Sequence, residues 1–180
     1  MKRFQYLFLK AFLVLLLIFA GFILQTSIFR GLKLAGIVPN IMVIITSSLG
    51  FMRGPKTGAM TGFFCGLCID TYSCILFGSS TFILMLLGYL NGVFNRLFFG
   101  ESIRLPLFMV AITDVLYGSL VYLTLFFSRH RNNVTYYLMN VSLPEMVYTI
   151  VVFVFLYFFI YRFNILLDTI DKRSARRIAR

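Results

Sequence analysis

The chain contains long apolar runs that carry almost no charge. Ala11 to Phe29 is a stretch of 19 residues without a charged side chain, and Thr57 to Asn95 runs for 39 residues with Asp70 as its only charge. About 20 consecutive apolar residues cross the roughly 30 Å hydrocarbon core of a bilayer. Apolar residues make up 60% of the chain and charged residues 13%, against about 25% charged residues in a soluble domain. We therefore expect an integral membrane protein.

These runs predict six membrane-spanning helices. One helix from Thr57 to Asn95 would be about 60 Å long at 1.5 Å per residue, roughly twice the hydrocarbon thickness, so this stretch must fold back. Turn-forming residues at Asp70–Ser73 and Gly78–Ser80 predict where it reverses. We expect an all-α integral membrane protein with spans at about 7–29, 34–52, 57–69, 80–95, 105–127 and 141–161.

The basic residues predict how these spans are oriented. The chain has 17 Lys and Arg residues against 6 Asp and Glu, a net charge of +11. Thirteen of the basic residues fall on the side of the two termini, and four fall on the other side: Arg30, Lys33, Arg129 and Arg131. Short cytoplasmic loops carry such an excess, which predicts that both termini are cytoplasmic. We expect no nucleic-acid partner, because no long basic stripe interleaved with aromatic residues lies outside the apolar runs.

The two ends of the chain have different expected fates. The charge-free run near the N-terminus exceeds the roughly 7–15 residues of a secretory signal core, so we interpret it as a retained first span. Residues 1–165 are assigned to the transmembrane domain and residues 166–180 to a basic cytoplasmic tail. Each basic residue at an anionic leaflet contributes about 1 kcal/mol of binding. The expected lipid-contacting residues of the tail are Lys172, Arg173, Arg176, Arg177 and Arg180.

Small and polar residues in spans three and four predict close helix contacts. Span three carries glycines four residues apart, and span four carries glycines and amides within about 100° of arc. Small residues let helix backbones approach closely in lipid, whereas buried amides more often bond neighbouring helices than a ligand. The pattern does not say whether the partner is another helix of this chain or another protein. The candidates are Gly58, Gly62, Gly66, Gly88, Asn91, Gly92 and Asn95.

Three acidic residues in or beside the spans are candidate polar or ion-pair positions. A carboxylate at mid-depth costs about 2.5 to 3.5 kcal/mol, so such residues suggest a function. Asp114 is expected near mid-depth, and Asp70 and Glu145 near the external face. Glu145 follows Pro144 in the first turn of its helix, which favours a capping or ion-pair role with Arg30, Arg129 or Arg131. Carboxylates separated in depth do not form a hydrolytic pair, and a proton or cation pathway would require them to approach one another.

No set of residues predicts an enzyme, a cofactor or a metal site. Cys65 and Cys68 lie on one helical face, but zinc needs four ligands, and His130 is the only histidine. Neither a glycine-rich phosphate loop nor a catalytic serine or zinc motif occurs in the sequence. We therefore expect a non-enzymatic protein without a cofactor.

An ordered set of short motifs extends over nearly the whole chain. It comprises Leu24-Gln25-Thr26-Ser27, Pro39-Asn40, Gly50-Phe51-Met52-Arg53-Gly54, Gly58-x-x-x-Gly62-Phe63-x-x-Gly66-Leu67-x-x-Asp70, Gly88-Tyr89-x-Asn91-Gly92, Asp114-x-x-Tyr117-Gly118 and Leu143-Pro144-Glu145-x-x-Tyr148. Each motif is weak by itself, but their order resembles the MreD family of rod shape-determining proteins.

The resemblance implies a non-enzymatic membrane protein that binds MreC in the bacterial elongation machinery. In that machinery MreB filaments are linked to the glycosyltransferase RodA and its penicillin-binding transpeptidase. The family is also similar to the six-helix substrate-binding subunits of energy-coupling-factor transporters. An alternative function is therefore a vitamin-like small-molecule binding subunit of a transporter, with Asn91, Asn95 and the external carboxylates lining its cavity.

Overall fold

A computed structural model describes residues 2–31, 37–73, 77–97, 104–129 and 143–178, and these residues are almost entirely helical. A π-helical turn (Leu24–Ile28) and a short helical segment (Phe29–Gly31) continue the first helix, and a 3-10 turn (Phe94–Leu97) follows the fourth. The six main helices are α1 (Lys2–Ile23), α2 (Ile41–Arg53), α3 (Pro55–Ser73), α4 (Ser79–Val93), α5 (Arg104–Arg129) and α6 (Leu143–Ile178). The predicted helical character is confirmed for the described residues.

Helix α2 forms the centre of the bundle. Every residue from Ile41 to Met52 is buried, because α1, α3, α4, α5 and α6 all pack around it. An apolar cluster on one side joins α2 to α1, α3 and α4. On the other side Ile44 and Met52 pack with Val110 of α5 and Phe153 of α6. A helix surrounded on all sides can be apolar all round, which explains why this segment lacks an outward-facing polar stripe.

Three of the described helical segments are long and apolar enough to cross a membrane. They are Phe8–Ile28, Arg104–Thr124 and Pro144–Ile170. Helices α2 and α4 are apolar but have only 13 and 15 residues, which gives lengths of about 20 and 22 Å. The residues that flank these two helices would have to cross the rest of a hydrocarbon core of about 30 Å. The chain is a membrane protein by these features, whereas the six-span topology remains a proposal.

Helix α2 begins later than the predicted span at 34–52. The helix starts at Ile41, because Pro39 and Asn40 precede it and the Asn40 side chain accepts a hydrogen bond from the Val43 backbone N–H. This is the geometry of a helix N-cap, which ends the non-helical approach to the helix. The start of the second helix is therefore set by its cap and not by the apolar run.

The reversal between the third and fourth helices also differs from the prediction. Asp70 to Ser73 are helical and belong to α3, so the prediction of a turn at these residues is wrong. Gly78 does lie in a turn, with a positive φ of 96° that a glycine tolerates. The Asp70 side chain accepts hydrogen bonds from the start of α4, and this role requires Asp70 to stay on the helix.

Helix α6 does not end where the transmembrane domain was expected to end. It runs for 36 residues from Leu143 to Ile178, about 54 Å. Residue 165 is therefore not a helix boundary, and the described part of the basic tail continues the last helix.

Candidate functional site

Helices α3 and α4 are antiparallel and meet through their glycines. An added Cβ on Gly58 would come against the Gly88 carbonyl, one on Gly62 against the Leu84 carbonyl, and one on Gly66 against the Thr81 backbone. Numbers rise along α3 as they fall along α4, so the stripe follows the whole contact. The partner of the glycine stripe is thus another helix of this chain, one of the two alternatives that the sequence left open.

Three helices meet at one point of this contact. A Cβ on Gly50 of α2 would lie 2.7 Å from the Gly88 carbonyl oxygen and 3.3 Å from the Gly58 Cα, and Gly92 packs in the same way against Pro55. Real Cβ atoms essentially never come within 3.0 Å of such neighbours. These glycines therefore allow α2, α3 and α4 to approach at backbone distance, as small residues do in membrane bundles.

The two candidate amides of α4 bond neighbouring helices. Asn91 Nδ2 donates to the Leu87 carbonyl and to Thr113 Oγ1 of α5, both at 2.8 Å. Asn95 Nδ2 donates to the Phe51 carbonyl of α2 at 2.7 Å. Both side chains hold helices together in this arrangement, and the geometry shows no ligand contact for either.

Asp70 caps the helix that follows the turn. Its Oδ2 accepts hydrogen bonds from the backbone N–H groups of Gly78 at 3.0 Å and Thr81 at 2.9 Å and from Thr81 Oγ1 at 2.6 Å, while Oδ1 accepts from the Ser80 N–H at 3.0 Å. The first N–H groups of a helix have no partner within the helix. A carboxylate at this position satisfies them and interacts favourably with the helix dipole.

The start of α2 is capped by side chains from several elements. Gln25 Oε1, in the π-helical turn, accepts a hydrogen bond from the Met42 N–H at 3.1 Å. The Asn40 backbone N–H donates to Thr149 Oγ1 of α6 at 3.1 Å, and the Thr149 hydroxyl also bonds Asp114 of α5. Backbone groups in hydrocarbon must find partners within the protein. We call Gln25, Asn40, Asp114, Glu145 and Thr149 the capping cluster.

Two carboxyl groups come together in the capping cluster. Glu145 lies one helical turn before Thr149 and close enough to Asp114 for the two charges to interact. The expectation that these acids would be separated in depth is wrong, because α5 and α6 pack side by side and both reach the first turn of α2. Asp114 is only 5% exposed, and its Oδ1 has no hydrogen-bond partner among the described residues.

A polar link joins the opposite ends of α2 and α6. Arg53 Nη1 at the end of α2 donates to Asn164 Oδ1 at 2.9 Å and forms an ion pair with Asp168 at 3.0 Å. Asn164 and Asp168 lie one turn apart on α6. Polar contacts therefore hold α2 against α6 at both ends.

The remaining predicted positions carry less structural information. The backbone of Lys172, Arg173, Arg176 and Arg177 is helical, and His130 and Arg180 lie outside the described residues. Cys65 is fully buried. Within the described ranges no three His, Cys, Asp or Glu residues form a group that could hold a metal ion.

Residues from separate motifs thus meet around the first turn of one central helix. A model of the family described as rod shape-determining protein MreD matches residues 3–166 of the 180-residue chain. The chain belongs to the MreD family. Membership confirms the resemblance carried by the motif order and associates the chain with rod shape determination. No curated protein and no solved structure matches the chain.

Sequence reasoning did not find several residues that build the capping cluster and the contacts around it. Thr113 and Thr149 gave no signal, because a threonine in an apolar helix usually bonds its own backbone. Gln25 and Asn40 stand in motifs of the MreD resemblance, but nothing in the sequence assigned them a role. Their roles follow from the late start of α2, which the apolar pattern does not show.

Proposed function

We propose that this MreD-family chain is a six-span scaffold of the bacterial inner membrane, with both termini in the cytoplasm. In this proposal it binds MreC and helps couple MreB filaments to peptidoglycan synthesis by RodA and its penicillin-binding transpeptidase. The family match carries the proposal. The bundle supports it, because the candidate glycines and amides join helices of the chain to one another.

The lipid-facing sides of the bundle are consistent with a multi-pass scaffold. Large apolar side chains are exposed on α1, α5 and α6, where a soluble protein would have polar ones. On α6 they include Val147, Val151, Val154, Phe155, Phe158 and Phe159. These surfaces fit acyl chains and the apolar helices of membrane partners.

Deleting the gene from its rod-shaped host is expected to produce spherical or widened cells. Lateral wall synthesis would lose its membrane organisation, whereas septal synthesis would continue. Cell width and the pattern of labelled wall precursor incorporation measure the effect, with a plasmid-borne copy as the control. Unchanged rods with normal lateral incorporation would contradict a role in cell shape.

Affinity purification in mild detergent distinguishes the scaffold from the transporter alternative. Recovery of MreC with the tagged chain supports the scaffold. Recovery of a transporter ATPase module together with a bound vitamin would instead establish the small-molecule binding subunit. The same preparation from a strain lacking MreC is the control for nonspecific capture of elongation proteins.

The basic end of α6 is expected to bind anionic lipid. Replacing Lys172, Arg173, Arg176 and Arg177 together by alanine should weaken phosphatidylglycerol binding by up to about 10³-fold, since each basic residue contributes about 1 kcal/mol. Native mass spectrometry of the full chain, with phosphatidylglycerol competing against phosphatidylcholine, measures the change. A matched variant with Arg30, Lys33, Arg129 and Arg131 replaced should retain this binding. An equal loss in both variants would mean that the tail has no specific lipid role.

A further inference from the structure

We propose that Asp114 and Glu145 hold one proton between them at neutral pH, which makes the capping cluster a proton-binding site. The pair then carries one negative charge instead of two. The proposal is independent of the scaffold function, because it concerns only the buried groups around the first turn of α2.

The unbonded oxygen of Asp114 is the observation that points to a bound proton. Asp114 is 5% exposed, and Oδ1 is buried without a partner among the described residues, whereas the Thr149 hydroxyl bonds the same side chain. That hydroxyl also accepts the Asn40 N–H, so its own proton is directed to the carboxylate. An ionised carboxylate accepts hydrogen bonds on both oxygens. A proton on Asp114 removes the charge that Oδ1 would otherwise carry without compensation.

Glu145 adds a second reason for the proton. Its carboxyl is close enough to interact with Asp114, and it lies in the half-buried first turn of α6. Two ionised carboxylates side by side repel each other, and low-dielectric surroundings strengthen the repulsion. The positive end of the α2 dipole favours one negative charge here. A single shared proton leaves such a charge.

Other titratable groups near the cluster do not supply a compensating cation. Among the described residues, no basic side chain is paired with Asp114 or Glu145. The Tyr148 ring packs on Phe29, with centroids 6.2 Å apart, and Tyr117 lies in the apolar cluster with α2, α3 and α4. Neither α2 near its start nor the π-helical turn carries a charged residue. Arg30 follows Phe29 in the chain, so the test includes it explicitly.

Infrared spectroscopy of the full chain in lipid nanodiscs tests the proposal. The wild-type chain should show the C=O stretch of a protonated carboxyl at neutral pH, and Asp114→Asn should remove it. Glu145→Gln should cause the band to disappear at a lower pH, because Asp114 then ionises without a neighbouring negative charge. Asp168→Asn, which changes an exposed carboxylate paired with Arg53, is the matched control and should leave the band unchanged.

The thermal stability of the same samples provides a second readout. The folded chain holds a proton that the unfolded chain releases, so the wild-type melting temperature should fall as pH rises through neutrality. The melting temperature of Asp114→Asn should lose this dependence while the variant stays folded. Absence of the band in the wild type, or its persistence in Asp114→Asn, would overturn the proposal. A band that arises only in Arg30→Ala would also overturn it, because Arg30 would then be the neutralising group.

Discussion

Replacing Gly62 by alanine is expected to lower the melting temperature of the bundle by about 10 °C. The added Cβ would meet the Leu84 carbonyl, with its carbon at 2.6 Å, and the Met85 backbone nitrogen at 2.9 Å. Backbone atoms cannot rotate away as a side chain can, so α3 and α4 must move apart. Overpacking of a well-packed core costs about 1 to 3 kcal/mol, and we expect the upper end of this range. For a chain of this size each kcal/mol corresponds to about 2 to 4 °C.

Two matched variants identify the cause of that loss. Gly31→Ala adds the same methyl group at a position with no described heavy atom within 4 Å, and its melting temperature should stay within about 2 °C of the wild type. Phe63→Leu changes a residue beside Gly62 that is 39% exposed, and it should have a mild effect. Circular dichroism in detergent micelles measures all three variants. Equal melting temperatures for Gly62→Ala and Gly31→Ala would show that the glycine stripe does not form the contact between α3 and α4.

The helices and the glycine contact could be predicted because both depend on local periodicity. Apolar runs indicate where helices form, and a four-residue spacing of glycines places them along one slowly winding stripe of a helix. The same spacing contains no information about what covers that face. The structure provides it, because a Cβ on Gly58 would meet the Gly88 backbone and one on Gly66 the Thr81 backbone.

The meeting of Asp114 with Glu145 could not be predicted from position along the chain. A depth inferred from the sequence assumes that each span is straight and crosses the full membrane. Helix α2 instead begins at Ile41, seven residues after the start of the predicted span, and its first turn lies beside α5 and α6. The contact between the acids depends on this short central helix and on Thr149, whose bond to Asn40 joins positions 109 residues apart.

Asp70→Ala is expected to be the most destabilising change to a polar residue, by about 3 kcal/mol. It removes all four hydrogen bonds that the carboxylate accepts from Gly78, Ser80 and Thr81. Buried N–H groups left without a partner each cost about 1 to 3 kcal/mol, and movement of the chain end recovers part of that loss. Loss of a helix N-cap alone costs about 0.5 to 2 kcal/mol. Melting in detergent measures the loss, with Asp168→Asn as an exposed acidic control.

A graded series identifies capping as the reason for that loss. Thr81→Val removes only the hydroxyl bond at 2.6 Å and should cost about 1 kcal/mol, because the two backbone N–H bonds to Oδ2 and the Ser80 bond to Oδ1 remain. Asp70→Asn should fall between the two, since an amide retains one acceptor oxygen but presents donors where Oδ1 or Oδ2 accepted. If Asp70→Ala costs no more than Thr81→Val, the backbone bonds contribute nothing. Asp70 would then be available for a partner instead of serving α4, whose first turn it now caps.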